Sequence, residues 1–167
     1  MAEQSSSEIT IRRGIGSDLE TIVGFNASMA EETEGKTLDL ERLRPGVAAV
    51  LGDESRGFYL LAEIAGQVAG QLMITTEWSD WRNAYFWWIQ SVYVAPDFRR
   101  RGVYRAMHRY VSAAARELPN VCGLRLYVDR DNHVAQAVYA GLDMQRSNYD
   151  MYMYEFNFML KPPKLGE

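Results

Sequence analysis

The chain has 167 residues, 47% of them hydrophobic and 24% charged, which fits one soluble globular domain and excludes a disordered polymer. Eighteen Lys and Arg against 22 Asp and Glu leave a formal net charge of −4, without the basic footprint of a nucleic-acid binder. One cysteine, Cys122, and two histidines, His108 and His133, exclude an internal disulfide and leave too few ligands for a Cys- or His-based metal cage.

Residues 1–8 are polar and read as a tail with no secretion-signal core, and 161–167, with Pro162-Pro163, read as a second tail. Between them a single domain is expected over 9–160, with no membrane span and a cytoplasmic location. Ile9 to Arg13 alternates apolar and polar residues and predicts a strand. Ser17-Asp18-Leu19-Glu20 has the form of a capping box, and Leu19, Ile22, Val23 and Met29 or Ala30 give the helical stripe that follows, ended near Gly35. A second helix is expected over Leu40 to Leu51, started or kinked at Pro45. Phe58 to Ile64, the Ala65-Gly66 turn and Gln67 to Glu77 predict a hairpin, with Trp78 to Asn83 as a loop.

Tyr85 to Val94 is nearly continuous in apolar and aromatic residues, as in a central strand buried on both faces. Pro96 ends it. Val103, Met107, Tyr110, Val111, Ala114 and Leu118 then recur at helical spacing up to Pro119-Asn120. Leu124 to Val128 predicts a strand, Asn132 to Tyr139 a helix, and Tyr149 to Phe158 a closing strand. The result is a mixed α/β chain. A helical crossover should place Tyr85–Val94 and Leu124–Val128 parallel.

Chemistry concentrates where the buried strand Val92-Tyr93-Val94 runs through Arg99, Arg100, Arg101 and Gly102 into the helix opened by Val103, Tyr104 and Arg105. Backbone N–H groups at a helix start bind anions, glycine lets a ligand approach the chain, and the arginines add charge. These residues suit a diphosphate. From the residues alone, a solvated basic loop that caps the helix reads equally well.

The segment resembles the GNAT-type acyl-CoA-dependent N-acetyltransferases, whose pattern is V-x-V followed by (R/Q)-x-x-G-x-(G/A). Val92, Val94, Arg99 and Gly102 match it, while Tyr104 stands where Gly or Ala is usual, so its ring must point away from the diphosphate. Asn132-His133-Val134-Ala135-Gln136-Ala137-Val138-Tyr139 is similar to the family's N-x-x-A-x-x-(L/V)-Y, and Asp143-Met144 replaces the usual Gly-Phe or Gly-Met. The resemblance implies a mostly antiparallel sheet of six or seven strands with a splayed central parallel pair and about four helices. It implies acetyl-CoA as cofactor, with the pantetheine arm paired to the backbone of Val92, Tyr93 and Val94 and the diphosphate on residues 100–105, and transfer to a primary amine, small or protein-borne, by direct attack. It also implies a homodimer.

On that resemblance Tyr139 is the general acid for the thiolate, although a packing role reads as well from its helix face; Asn132 contacts pantetheine or caps the helix; and His133 is an alternative acid. No Asp or Glu lies on Tyr85–Val94 to serve as base. Gln90, Ser91 and Tyr93 could hold a proton-carrying water chain, with Glu77 and Asp80 as weaker bases. Glu31 and Glu34, in the run Glu31-Glu32-Thr33-Glu34, could attract a cationic acceptor, and Asp80 and Trp81 could line its wall. Cys122 reads as a packing thiol. A non-catalytic acyl-CoA-binding sensor and an oligomerisation module remain as alternatives.

Overall fold

The computed structural model describes residues 8–154 and 156. β1 (Ile9–Arg13), β2 (Phe58–Ile64), β3 (Gln67–Ser79), β4 (Ala84–Val94) and β5 (Val121–Leu126) form one sheet in that order. β1 to β4 are antiparallel, and β4–β5 is the parallel pair. The helices are α1 (Leu19–Glu34), α2 (Leu40–Gly52), α3 (Val103–Arg116) and α4 (His133–Ala140). Among the described residues no helix is long and apolar enough to cross a membrane.

The two faces of the sheet are covered differently. Val103, Met107, Val111 and Ala115 recur every four residues along α3 and are buried against Leu60, Leu72, Ile74, Trp87 and Ile89. On the other face Ile22 and Val23 of α1 and Val47 of α2 close over Tyr59 and Leu61. Each fully buried Leu or Ile contributes about 1.5–3 kcal/mol relative to exposure, so each face carries its own apolar core.

Several expectations change. Ser17 and Glu20 make no capping box: the Asp18 carboxylate accepts from the Ile15 N–H at 2.8 Å and from Arg12 at 2.8 and 2.9 Å, and Glu20 accepts from Arg44 of α2. α2 begins at the expected Leu40 and not at Pro45, because Asp39 caps it by accepting from the Glu41 N–H at 3.1 Å. Pro45 has no N–H to offer the Glu41 carbonyl, but Glu41 is exposed and water can satisfy that group. β3 runs on through Trp78 and Ser79, which shortens the expected loop.

β4 is not buried on both faces. Trp87 and Ile89 are buried toward α3, whereas Phe86, Trp88 and Gln90 are half-buried on a face that α1 and α2 only partly cover. β5 occupies Val121–Leu126, so Tyr127 and Val128 lie beyond it and are exposed. Cys122 is exposed, with its Sγ donating to the Tyr85 carbonyl at 3.3 Å. Residues 149–154 form no strand, leaving a five-stranded sheet among the described residues; 155 and 157–158 of the expected closing strand lie outside them. Asp143 does take the left-handed turn that a glycine would, at φ 63°.

Candidate functional site

The end of β4 is shaped by a bulge. The pairing with β3 shifts between Met73–Gln90 and Gln71–Tyr93, and Ser91 sits at φ 50°. Gln71 Nε2 supports the bulge by donating to the Ser91 carbonyl at 3.3 Å. One extra residue reverses the alternation. Val92 and Val94 therefore join Trp87 and Ile89 on the α3 side, while Tyr93 turns toward α1 and packs on Phe25 with ring centroids 5.1 Å apart. The pairing of β4 with β5 stops at Ile89–Leu126, so Gln90 to Val94 face a gap on that side.

At the mouth of this gap the chain turns through Arg99–Gly102 into α3. Arg100 and Gly102 are both left-handed, at φ 62° and 80°, which gives the loop the curved form of an anion nest. Ala106 is the first residue of the helix to find a partner, donating to the Gly102 carbonyl at 3.0 Å. The N–H groups of Val103, Tyr104 and Arg105 precede it and are the unpaired donors of a helix start. No side chain caps them and no acidic residue stands in the first turn. A Cβ built on Gly102 would meet nothing within 4 Å, so space lies open over the turn. Arg100, Arg101 and Arg105 are exposed. Arg99 turns back instead, donating to the Val94 carbonyl at 2.9 Å and pairing with Glu32.

α4 brings Tyr139 to the same end of the sheet. Its ring meets Tyr104 edge-on at 5.5 Å, so Tyr104 points along α3 toward α4 and away from the turn. Burial raises both phenols above their ordinary pKa, Tyr104 further because an ionised Tyr139 would repel its charge. The Tyr104 hydroxyl and His108 Nε2 are buried without a partner among the described residues. Asn132 is the cap of α4, accepting from the Ala135 N–H at 3.0 Å, and His133 is exposed.

The acidic residues sort differently from their order in the chain. Glu32 is the carboxylate that turns inward: it accepts from the Tyr93 hydroxyl at 2.7 Å and from Arg99, and these two bonds hold its carboxyl below the usual range. Glu34 pairs with Lys36, and Glu31 lines a shallow hollow beside the α1–α2 link. Helix period could have separated them, since Glu32 lies seven residues after Phe25, on the side that meets Tyr93. Asp80 and Trp81 sit in the β3–β4 turn, Trp81 88% exposed. The eight residue steps from Ala84 to Val92 put that turn roughly 25 Å from the gap, so the structure does not bring these two to it. Glu77 accepts from Trp88 and from Arg125 at 3.0 Å, and Gln90 donates to Thr75.

Sequence reasoning missed a pocket of about 440 Å³ under α1 and α2 that reaches the bulge at Ser91. A buried relay borders it: Gln71 Nε2 donates to Asn26 Oδ1 at 2.9 Å, and Asn26 Nδ2 donates to the Tyr59 hydroxyl at 3.3 Å. The partners come from α1, β2 and β3, and no spacing in the chain links them. Among the described residues no group of three His, Cys, Asp or Glu side chains could hold a metal ion.

A profile of the Acetyltransferase (GNAT) family matches residues 20–144. Among solved structures, a possible acetyltransferase from Clostridium difficile 630 is 44% identical, with 89% of this chain and 97% of that one covered and a TM-score of 0.84. A predicted acetyltransferase with acetyl-CoA from Clostridium acetobutylicum (15% identity, 88% and 96% covered, TM-score 0.70) shares the fold. So does AAC(6')-Iy in complex with a bisubstrate analog, CoA-S-monomethyl-acetylneamine (15%, 90% and 99%, 0.72). Among curated proteins there is no match.

Proposed function

Because the chain belongs to the acetyltransferase (GNAT) family, we propose that it moves an acetyl group from acetyl-CoA to a primary amine by direct attack in a ternary complex. The observation that carries this reading is the uncapped start of α3, entered through two left-handed residues at the end of a strand whose parallel neighbour has stopped. That arrangement leaves backbone donors, arginine charge and open space in one place, and a CoA diphosphate fits all three. The N–H groups of Val103, Tyr104 and Arg105 hold the diphosphate, with Arg100 and Arg101 beside them. The backbone of Val92 to Val94 holds the pantetheine arm in the gap, as a ligand added to a strand edge. Arg99 steadies the turn through Val94 and Glu32.

Bound acetyl-CoA supplies an acyl thioester whose sulfur departs as a thiolate. Tyr139 serves that departure. Its Oη keeps its proton well into alkaline conditions because burial raises its pKa, so a donor is in place whenever the amine is neutral enough to attack. The amine proton leaves through water along Ser91 and Gln90.

A second reading, a CoA-binding sensor without turnover, draws on one observation: Glu32 and Glu77, the carboxylates that hydrogen-bond to β4 side chains, are both held by arginines and poorly placed to act as a base. Thiol release from acetyl-CoA, followed with a panel of amines, decides between the two. Amine-stimulated release that falls sharply in Tyr139→Phe supports transfer. Binding of CoA with no release by any amine or lysine peptide supports the sensor.

A further inference from the structure

We infer that the pocket under α1 and α2 selects an acceptor whose primary amine is borne on an apolar aliphatic or aryl body, rather than a polyamine or another polycation; this rests on the acetyl-transfer reading and specifies its substrate. The pocket is an open hollow of about 440 Å³, a volume inside the roughly 300–1,000 Å³ range of small-ligand sites. Its walls are Met29, Leu38, Leu43, Val47, Val50 and Met73. It touches β4 at Ser91, one residue before Val92 and beyond the last β5 partner, Ile89. A molecule seated there lies on the face of β4 opposite α3 and meets the strand where the gap opens.

Charge in the pocket does not favour a polycation. Among the described residues Asp39 is the one carboxylate in the lining, and its side chain already accepts from the Glu41 N–H. Arg42, of opposite sign, stands at the exposed rim. Of the acids at the end of α1, Glu32 and Glu34 are held by Arg99 and Lys36, and Glu31 lines the neighbouring hollow rather than this pocket. What remains for recognition is apolar surface and a few polar groups at the floor. Asn26 is 5% exposed and Tyr59 4% exposed, and both line the pocket. The Tyr59 hydroxyl accepts from Asn26 and keeps its own proton to donate to a neutral acceptor atom on the body of the ligand. Gln71, fully buried, holds Asn26 in place and ties it to the Ser91 bulge. A dication would leave one charge desolvated against Met and Val, while an apolar body gains by leaving water.

The test compares 2-phenylethylamine and 3-methylbutylamine with putrescine and ethanolamine, by thiol release from acetyl-CoA and by ligand-observed NMR binding, in the wild type and in Met29→Glu and Leu38→Glu. Met29 and Leu38 border the pocket outside the buried cores, and acetyl-CoA affinity by calorimetry reports whether each variant is folded. The expected result is a kcat/KM for the apolar amines at least about tenfold above the polar ones, lost through a raised KM in both variants. Equal rates, or a preference for putrescine, overturn the inference and leave acetyl transfer standing. If no amine is acetylated, the transfer reading fails while the pocket is judged by NMR alone. Saturable 2-phenylethylamine binding that is tighter than putrescine binding and that both variants abolish upholds the preference; absence of binding, equal binding of putrescine, or binding unaffected by both variants overturns it.

Discussion

In the proposed reaction Tyr139 is the residue on which transfer, as distinct from binding, depends. Its ring leans on Tyr104, so the contact survives if the hydroxyl alone is removed. Tyr139→Phe should lower kcat by about a hundredfold or more, within the range of a lost general acid, and leave acetyl-CoA affinity within about threefold. Stopped-time thiol release and calorimetry on one preparation check both halves; a loss of affinity alone would make Tyr139 a packing residue. The pH profile carries the same information. Burial raises the phenol above its ordinary 10, so the acid form persists through neutral and mildly alkaline solution. The rate should rise with pH as the amine loses its proton and show no fall up to about pH 9. Gly102 is the other single position that decides the site. At φ 80° a valine is strained by about 1–3 kcal/mol and its branched side chain enters the space kept open over the turn. Gly102→Val should weaken acetyl-CoA binding at least about tenfold. Gly102→Asn, which tolerates the left-handed region, separates strain from lost space: it should bind better than the valine variant when both are measured by calorimetry.

At the scale of elements the site is a junction of the end of β4, the start of α3 and the end of α4. The start of α3 acts through charge that is largely solvent-facing. Arg100→Glu with Arg101→Glu should therefore cost about tenfold or more in acetyl-CoA affinity at low salt, and the deficit should shrink as salt is added. A titration from low to physiological ionic strength checks both; unchanged affinity would remove these side chains from the cradle. This junction was legible in the chain because each part is local: a V-x-V strand, a turn with one glycine, a helical stripe from Val103 and an Asn-capped helix ending in Tyr. The bulge at Ser91 was not, since serine has no special claim to φ 50° and is held there by Gln71 from the neighbouring strand. Pro45 stands inside α2 and does not start it, because Asp39 caps the helix at the expected Leu40 and water reaches the freed carbonyl. Ser17 and Glu20 misled because Arg44, 24 residues on in α2, takes the Glu20 carboxylate, and Asp18 rather than Ser17 accepts a backbone N–H before the helix. The pocket under α1 and α2 was invisible for the same reason. Asn26, Tyr59 and Gln71 become neighbours only when α1 settles on β2 and β3.

For the whole molecule, the two faces of the sheet respond differently to acid. On the α1 side, Arg12 of β1 binds Asp18 and Glu63 together and so fastens β1 to β2 and to the start of α1. The bond from Arg12 holds the Asp18 carboxyl below its ordinary 3.8. On the α3 side, His108 is 5% exposed with Nε2 unpartnered among the described residues, and burial lowers its pKa from 6.5. In both cases the unfolded chain takes up the proton at a higher pH than the folded one, so stability rises with pH through each titration. His108 contributes in full above about pH 6.5, and its contribution is lost as pH falls below that. Asp18 contributes in full above about pH 4 and is lost below it. Acid should therefore destabilise the protein in two steps, the first belonging to the α3 face. His108→Leu removes an orphaned polar atom from an apolar setting and with it the first step. Denaturant unfolding at pH 7.5 and pH 5 should show the wild type losing stability between them and the variant losing less, with the variant at least as stable at pH 5 by about 1 kcal/mol. Parallel losses in the two proteins would mean that His108 finds a partner in solution and that the upper step has another source.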